Sequence, residues 1–239
     1  MATFILVHGA WHGGWCFEKI TPLLQAGGHR VFAPDLPGHG EDHTPIAQVT
    51  LGRYVQALCD LIDTLDTQVI LVGHSMGGIV ISQVAEYRSE KIQKLIYLAA
   101  FMPKNNDSVL SLVQSFPSTR FSKRMKALPD ENILAFPRAN FKAFGYHLCD
   151  EKLFARIEEK FCQQPLEPMG ARVKLSEAKF GSLPTVYIAC LQDQAIHIAS
   201  QYSMSQERGA KIFTLESDHS PFYSDPQGLA AILLQEGGE

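Results

Sequence analysis

The run "LVGHSMGG", residues 71 to 78, sets one serine between glycines where an apolar stretch stops. Gly73-His74-Ser75-Met76-Gly77 fits G-x-S-x-G, with the strand-like "QVILV" before it and the helix-like "GIVISQVAEY" after it. That setting is a nucleophile elbow: a sharp strand-to-helix turn strains the serine and exposes its hydroxyl, while the glycines let the two backbones approach. The helix that follows directs its N-terminal N–H groups at charge developing there. A serine that only caps a helix, between glycines chosen for packing, spells the same five residues.

A serine needs a base to become a nucleophile, and the base needs an acid to orient it. Nine histidines compete. His219, in "LESDHSPFYSDP", follows the last strand-like run and so reaches the same sheet edge as Ser75. His74 points away if Ser75 is on an elbow, and His8 and His12 sit in a loop where bonding to backbone is the simpler role. His29, His39, His43, His147 and His197 have no comparable address, although His147 and His197 are placed to touch a ligand. For the acid, Asp193 in "IACLQDQAI" comes just after the strand-like run before last. Asp107 is the runner-up, and Asp218 is too close in sequence to His219 to accept its Nδ1 proton. Two N–H groups are then needed for an oxyanion. Met76 supplies one and Ala10, in "VHGAWHGGW", the other, with Gly9 leaving room for a carbonyl.

These groups require a sheet to hold them. Strand-length apolar runs occur at 3–9, 30–35, 68–73, 94–100, 184–190 and 211–215, and they are continuous rather than alternating, as in parallel strands buried on both faces. Helical spacings at 50–65 and 77–91 lie between them. Strand and helix in alternation predict an α/β fold with helices on both faces.

Residues 104 to 182 break the rhythm and show no convincing strand. They carry eight of the 14 phenylalanines, and their charges balance to +4 against -8 for the rest. The reading is a helical cap, 104–182, inserted into a core of 1–103 and 183–239. Its phenylalanines pack against the body and leave a mostly apolar pocket. Trp11, Phe101 and Phe222 are expected near that pocket. The basic run "RFSKRMK", 120 to 126, reads as a solvated face.

The net charge of -4 over 239 residues argues against nucleic acid or anionic membrane as partners. No apolar stretch reaches membrane-spanning length, and the N-terminus lacks the layout of a signal peptide. Cys16, Cys59, Cys149, Cys162 and Cys190 are odd in number, with no metal-ligand spacing, so a reduced, cytoplasmic protein without a metal is expected.

Together "HGAWHGGW", "VFAPDLPGHG", "VGHSMGG", "YLAAFMP", "YIACLQDQAI" and "SDHSPFYSDP" resemble the α/β-hydrolase superfamily, and within it the small esterases grouped with plant methylesterases, hydroxynitrile lyases and bacterial relatives. The resemblance runs from about residue 3 to the C-terminal helix, and is dense in the body and thin in the cap. It implies a six-stranded, mainly parallel sheet, a triad of Ser75, Asp193 and His219 in that chain order, oxyanion donors Ala10 and Met76, and no cofactor. The lyases carry threonine at the position of Gly9 and lysine at that of Ser220, so the resemblance favours the esterases. The expected activity is hydrolysis of small to medium apolar, including methyl, esters. A receptor that binds a small ligand on the same fold is the alternative from another class. Oligomeric state is open.

Overall fold

Each strand-length run forms a strand in the computed structural model, which describes residues 1–238. The chain opens with β1 (Thr3–Val7), α1 (Ile20–Ala26), β2 (Arg30–Phe32), α2 (Leu51–Asp63), β3 (Val69–His74), α3 (Gly77–Arg88) and β4 (Ile92–Leu98). An inserted stretch holds α4 (Val109–Ser115), β5 (Lys126–Leu128), β6 (Ile133–Ala135), α5 (Phe141–Gly145), α6 (Glu151–Ile157), β7 (Gln164–Pro165) and α7 (Glu167–Gly170). The chain then returns through β8 (Thr185–Cys190), α8 (Ile198–Glu207), β9 (Lys211–Leu215), α9 (Pro221–Ser224) and α10 (Pro226–Gly238).

The main sheet has six strands in the order β2-β1-β3-β4-β8-β9, and every neighbouring pair is parallel. All residues of β1 and β3 are buried, which is why their sequences are apolar without alternation. The chain leaves β1 outward to β2 and returns on the other side to β3, so strand order reverses between β1 and β3. The loops after those two strands, 8–15 and 74–77, therefore diverge around a crevice at the C-terminal edge, the usual place for a site in an open α/β sheet.

Two helices show opposite burial for a physical reason. In α2 the buried residues are Leu51, Tyr54, Val55, Leu58, Cys59 and Ile62, a single stripe of an outer helix that Thr50 caps by accepting from Arg53 N–H. In α3 every residue from Gly77 to Ala85 is buried, since this helix starts at the elbow and runs beneath others.

The inserted stretch differs from the all-helical cap expected of it. Strands β5, β6 and β7 form a small antiparallel sheet. They are three, three and two residues long, too short for an alternating pattern to register. Its phenylalanines do bury: Phe121, Phe136 and Phe141 crowd the Trp11 indole with ring centroids 6.0, 5.6 and 5.7 Å away. Among the described residues all five cysteines are free, and no helix is long and apolar enough to cross a membrane.

Candidate active site

Ser75 has φ +54°, a left-handed conformation that costs a non-glycine residue strain and needs a surrounding framework to hold it. The framework is backbone. Ser75 N–H donates to Leu98 O at 3.3 Å, and Ser75 O accepts from Gly78 N–H at 3.2 Å and Phe101 N–H at 3.1 Å. The flanking glycines follow from contact distances. A Cβ on Gly73 would stand 2.7 Å from Gly77 O, and one on Gly77 would stand 2.6 Å from Val7 O. Neither gap admits a methyl group, so helix α3 can start this close to β1 and β3 only with glycine.

His219 Nδ1–H donates to Asp193 Oδ2 at 2.7 Å, both residues being buried. The carboxylate is held by three more donors: Ala195 and Ile196 N–H reach Oδ1 at 2.7 and 2.9 Å, and Gln201 Nε2–H reaches Oδ2 at 3.1 Å. The histidine loop is tied to the elbow, because His74 Nε2–H donates to the His219 carbonyl at 2.8 Å and the two rings lie 4.7 Å apart. Asp107 is elsewhere engaged, accepting from Lys104 N–H at 2.9 Å. Asp218 accepts from Leu148 and Ser220 N–H and from the Ser224 hydroxyl, so it joins the histidine loop to the inserted stretch.

The loop after β1 is pinned by neutral histidines. Leu36 N–H donates to His8 Nε2 at 3.0 Å, which leaves His8 Nδ1–H to donate to Gly9 O at 2.9 Å. His12 Nδ1–H donates to Ala10 O at 2.6 Å, while its Nε2 accepts the Tyr146 hydroxyl at 2.5 Å. Burial keeps both rings uncharged: it lowers His8 well below the usual imidazole value and His12 to about 3, and it lowers His39 and His74 likewise. With both carbonyls turned toward histidines, Ala10 lies with Met76 and Ser75 on the wall of one cleft.

That cleft is narrow and is lined chiefly by Trp11, Phe101, Val109, Phe116, Phe121 and Met125. Among the sequence candidates for substrate contact, Trp11 and Phe101 line it. Gly9 lies behind it, since a Cβ there would come within 2.9 Å of both Ser75 Cβ and His74 Nδ1. Phe222 does not reach it. Its ring is fully buried beneath the site, 5.0 Å from the His74 ring and 5.5 Å from Phe17, because α9 turns it inward. His147 also stays off the cleft wall, whereas His197 is on it.

Sequence reasoning passed over Gln164 and Tyr146, both in the inserted stretch and more than 130 residues from the loop they hold. Gln164 Oε1 accepts from Trp11 N–H, and Cys162 N–H donates to Trp11 O at 3.0 Å. No local pattern marks either residue. Among the described residues no cluster of histidine, cysteine or carboxylate side chains suits a metal ion.

A model of the alpha/beta hydrolase family matches residues 4–232. The chain belongs to that family. Within it, Salicylic acid-binding protein 2 of Nicotiana tabacum is 34% identical over 253 residues, spanning 97% of this chain and 95% of the relative. Methylesterase 7 of Arabidopsis thaliana is 30% identical over 254 residues, with 97% and 95% covered. Among solved structures of hydrolases, a pyrethroid hydrolase from Sphingobium faniae JZ-2 superposes with a TM-score of 0.90 at 27% identity, covering 99% of this chain and 97% of its own. The sheet order, the elbow and the family match agree, and the chain is a hydrolase.

Proposed function

We propose that the protein is a serine carboxylic-ester hydrolase working through an acyl-enzyme, with Ser75, His219 and Asp193 as its triad. The observation that carries this reading is the bonded pair His219 Nδ1–Asp193 Oδ2, at 2.7 Å, on a loop tied to the strained elbow of Ser75. With Nδ1 engaged, His219 Nε2 is the nitrogen left to take the Ser75 proton. The Ser75 oxygen attacks the ester carbonyl carbon, and the carbonyl π electrons move onto oxygen. The N–H groups of Ala10 and Met76 receive that oxyanion, each worth roughly 3 kcal/mol in the transition state. The intermediate collapses by breaking the bond to the alcohol oxygen, which takes the proton from His219. Water then gives His219 a proton and attacks the acyl-serine; the acyl–Oγ bond breaks, His219 returns the proton to Ser75 Oγ, and the acid leaves. Asp193 stays ionised throughout and stabilises the imidazolium.

The apolar cleft supports an ester with a small to medium apolar group beside the carbonyl. The methylesterase and pyrethroid hydrolase names of its relatives fit that size range, and residues 104–182 act as the cap that closes it. Threonine at position 9 would crowd Ser75, and position 220 is a buried serine, so the lyase reading gains no support. A p-nitrophenyl ester series assayed with the parent and with Ser75→Ala tests the proposal. The parent turns over with a burst of nitrophenol and an acyl mass on Ser75, and the variant loses at least about 10³-fold in kcat. Equal turnover by the two proteins sinks it.

A further inference from the structure

The basic residues of the run 120–126 are exposed, as a solvated face requires, but the residues between them reach the cleft. Phe121, Ser122 and Met125 line its wall, while Arg120 lines a second, solvent-open chamber beside it. The two chambers adjoin, since Pro117, Thr119, His197 and Ser200 border both. Their chemistry differs. No Lys, Arg, Asp or Glu lines the inner cleft, whereas the outer chamber is walled by Ser118, Arg120, Gln192, Asp193 and Gln194.

The outer chamber holds one cationic side chain, Arg120, and a ring N–H donor, His197. His197 Nδ1 accepts from Ala199 N–H at 3.2 Å, so its ring proton is on Nε2 and free to donate. Arg120 is exposed, and among the described residues its guanidinium has no ion-pair partner. Lys123 and Arg124 follow on the same exposed turn. The single carboxylate in the wall, Asp193, is already spent on His219 and three other donors. A turn of Thr119 and Ser122, each side-chain oxygen accepting from the other residue's N–H, holds this lip in shape.

We infer that the outer chamber is a binding subsite for an anionic far end of the substrate, which makes the preferred esters those whose acyl chain is apolar next to the carbonyl and carries a carboxylate at its other end. This rests on the esterase reading of the inner cleft. Arg120 supplies the charge, and His197 and Ser200 supply hydrogen bonds at the neck between the chambers. A guanidinium matches a carboxylate with two parallel N–H groups, which a lysine there would not. Because the site is open to solvent, the attraction weakens with salt.

The test compares mono-p-nitrophenyl esters of linear dicarboxylic acids with neutral p-nitrophenyl esters of the same chain length. The parent should favour the hemi-ester at one or more lengths by roughly five- to tenfold in kcat/KM at low ionic strength, as an exposed pair reinforced by hydrogen bonds allows. That ratio should fall with added salt and invert in Arg120→Glu. A ratio that favours the neutral ester at every length, or one that Arg120→Glu leaves unchanged, overturns the inference. Calorimetric affinities of Ser75→Ala for the same pairs read the subsite without turnover. If the parent hydrolyses no ester, the esterase reading falls alone, and those affinities still decide the subsite in the same two directions.

Discussion

Trp11 and Gln164 meet across 153 residues: the Trp11 backbone N–H donates to the Gln164 side-chain oxygen at 3.2 Å. The same oxygen accepts from His39 Nε2–H at 3.1 Å, and the amide's own N–H donates to Pro165 O at 2.9 Å. Trp11 has φ +64°, a conformation costly for a bulky residue unless its surroundings enforce it. Its carbonyl is held by Cys162 N–H and its indole N–H by Leu134 O at 3.1 Å, so every polar group of Trp11 is answered from the inserted stretch. The residue before it is Ala10. The insertion is thereby part of what shapes the loop after β1, where the proposed oxyanion donor Ala10 sits.

Replacing Gln164 with Leu keeps the volume and removes the acceptor, leaving Trp11 N–H and His39 Nε2–H buried and unmatched. Each unmatched donor costs about 1–3 kcal/mol, and the left-handed turn loses a restraint. The variant should stay folded with a lowered melting temperature, lose at least tenfold in kcat, and bind a boronic acid mimic of the tetrahedral intermediate more weakly while the product acid binds as before. Equal weakening for the mimic and the product would mean that Gln164 supports the cleft in general and has no particular hold on Ala10.

Much of the core was legible because its signals are local. Continuous apolar runs mark strands buried on both faces, and Gly73 and Gly77 mark the elbow through contacts within one turn of chain. Chain order and the shared sheet edge singled out Asp193 and His219, and their side chains are hydrogen-bonded at 2.7 Å. What stayed hidden depends on distant pieces. The pairing of β6 with β7 spans about thirty residues and involves two-residue and three-residue strands, below the length at which a period can be seen. Phe222 carries the apolar character expected of a cleft wall, yet α9 turns it under His74. Residue type does not reveal which side of a short turn a ring will take.

Gly9 is fixed by space. A Cβ there would stand 2.9 Å from both Ser75 Cβ and His74 Nδ1, closer than real Cβ contacts allow. Gly9→Ala should therefore displace Ser75 or the loop after β1 by a few tenths of an ångström, enough under the proposed mechanism to lower kcat by roughly ten- to a hundredfold, given how steeply rate depends on placement. Stopped-flow measurement of acylation reads the effect directly. An acylation rate within twofold of the parent would show that the loop yields without consequence.

Acid should unfold this protein early. His8, His12, His39 and His74 are buried and neutral, each with its pKa lowered by burial from the ordinary 6.5, His12 as far as about 3. In the unfolded chain these rings bind protons near the ordinary value, whereas in the fold they do so only at lower pH. Their contribution is therefore complete above about pH 6.5 and is lost as pH falls below it, by up to about 1.4 kcal/mol per pH unit for each ring. Melting temperature should drop steeply between pH 6.5 and 5, and His12→Phe should shallow that slope even if it lowers the plateau. A melting temperature that is flat across this interval would contradict the burial of these rings as neutral groups.

At the opposite edge of the sheet, Glu236 on α10 meets Lys94 on β4 and Lys211 on β9, with N–O separations of 2.6 and 2.8 Å. Lys94 Nζ–H also donates to the Glu236 carbonyl at 3.1 Å. The glutamate is 1% exposed and Lys94 8%, so removing the carboxylate takes from a poorly solvated lysine the anion that it meets at 2.6 Å. Glu236→Leu should lower unfolding free energy by about 3–5 kcal/mol, and adding Lys94→Met should restore much of it, since an apolar pair of similar size needs no partner. Urea unfolding at neutral pH measures both. Because these residues lie at the strand starts, far from Ser75, ester turnover below the melting range should change less than twofold. If the double variant is no more stable than Glu236→Leu, then the ion pair is not what anchors α10 to the sheet.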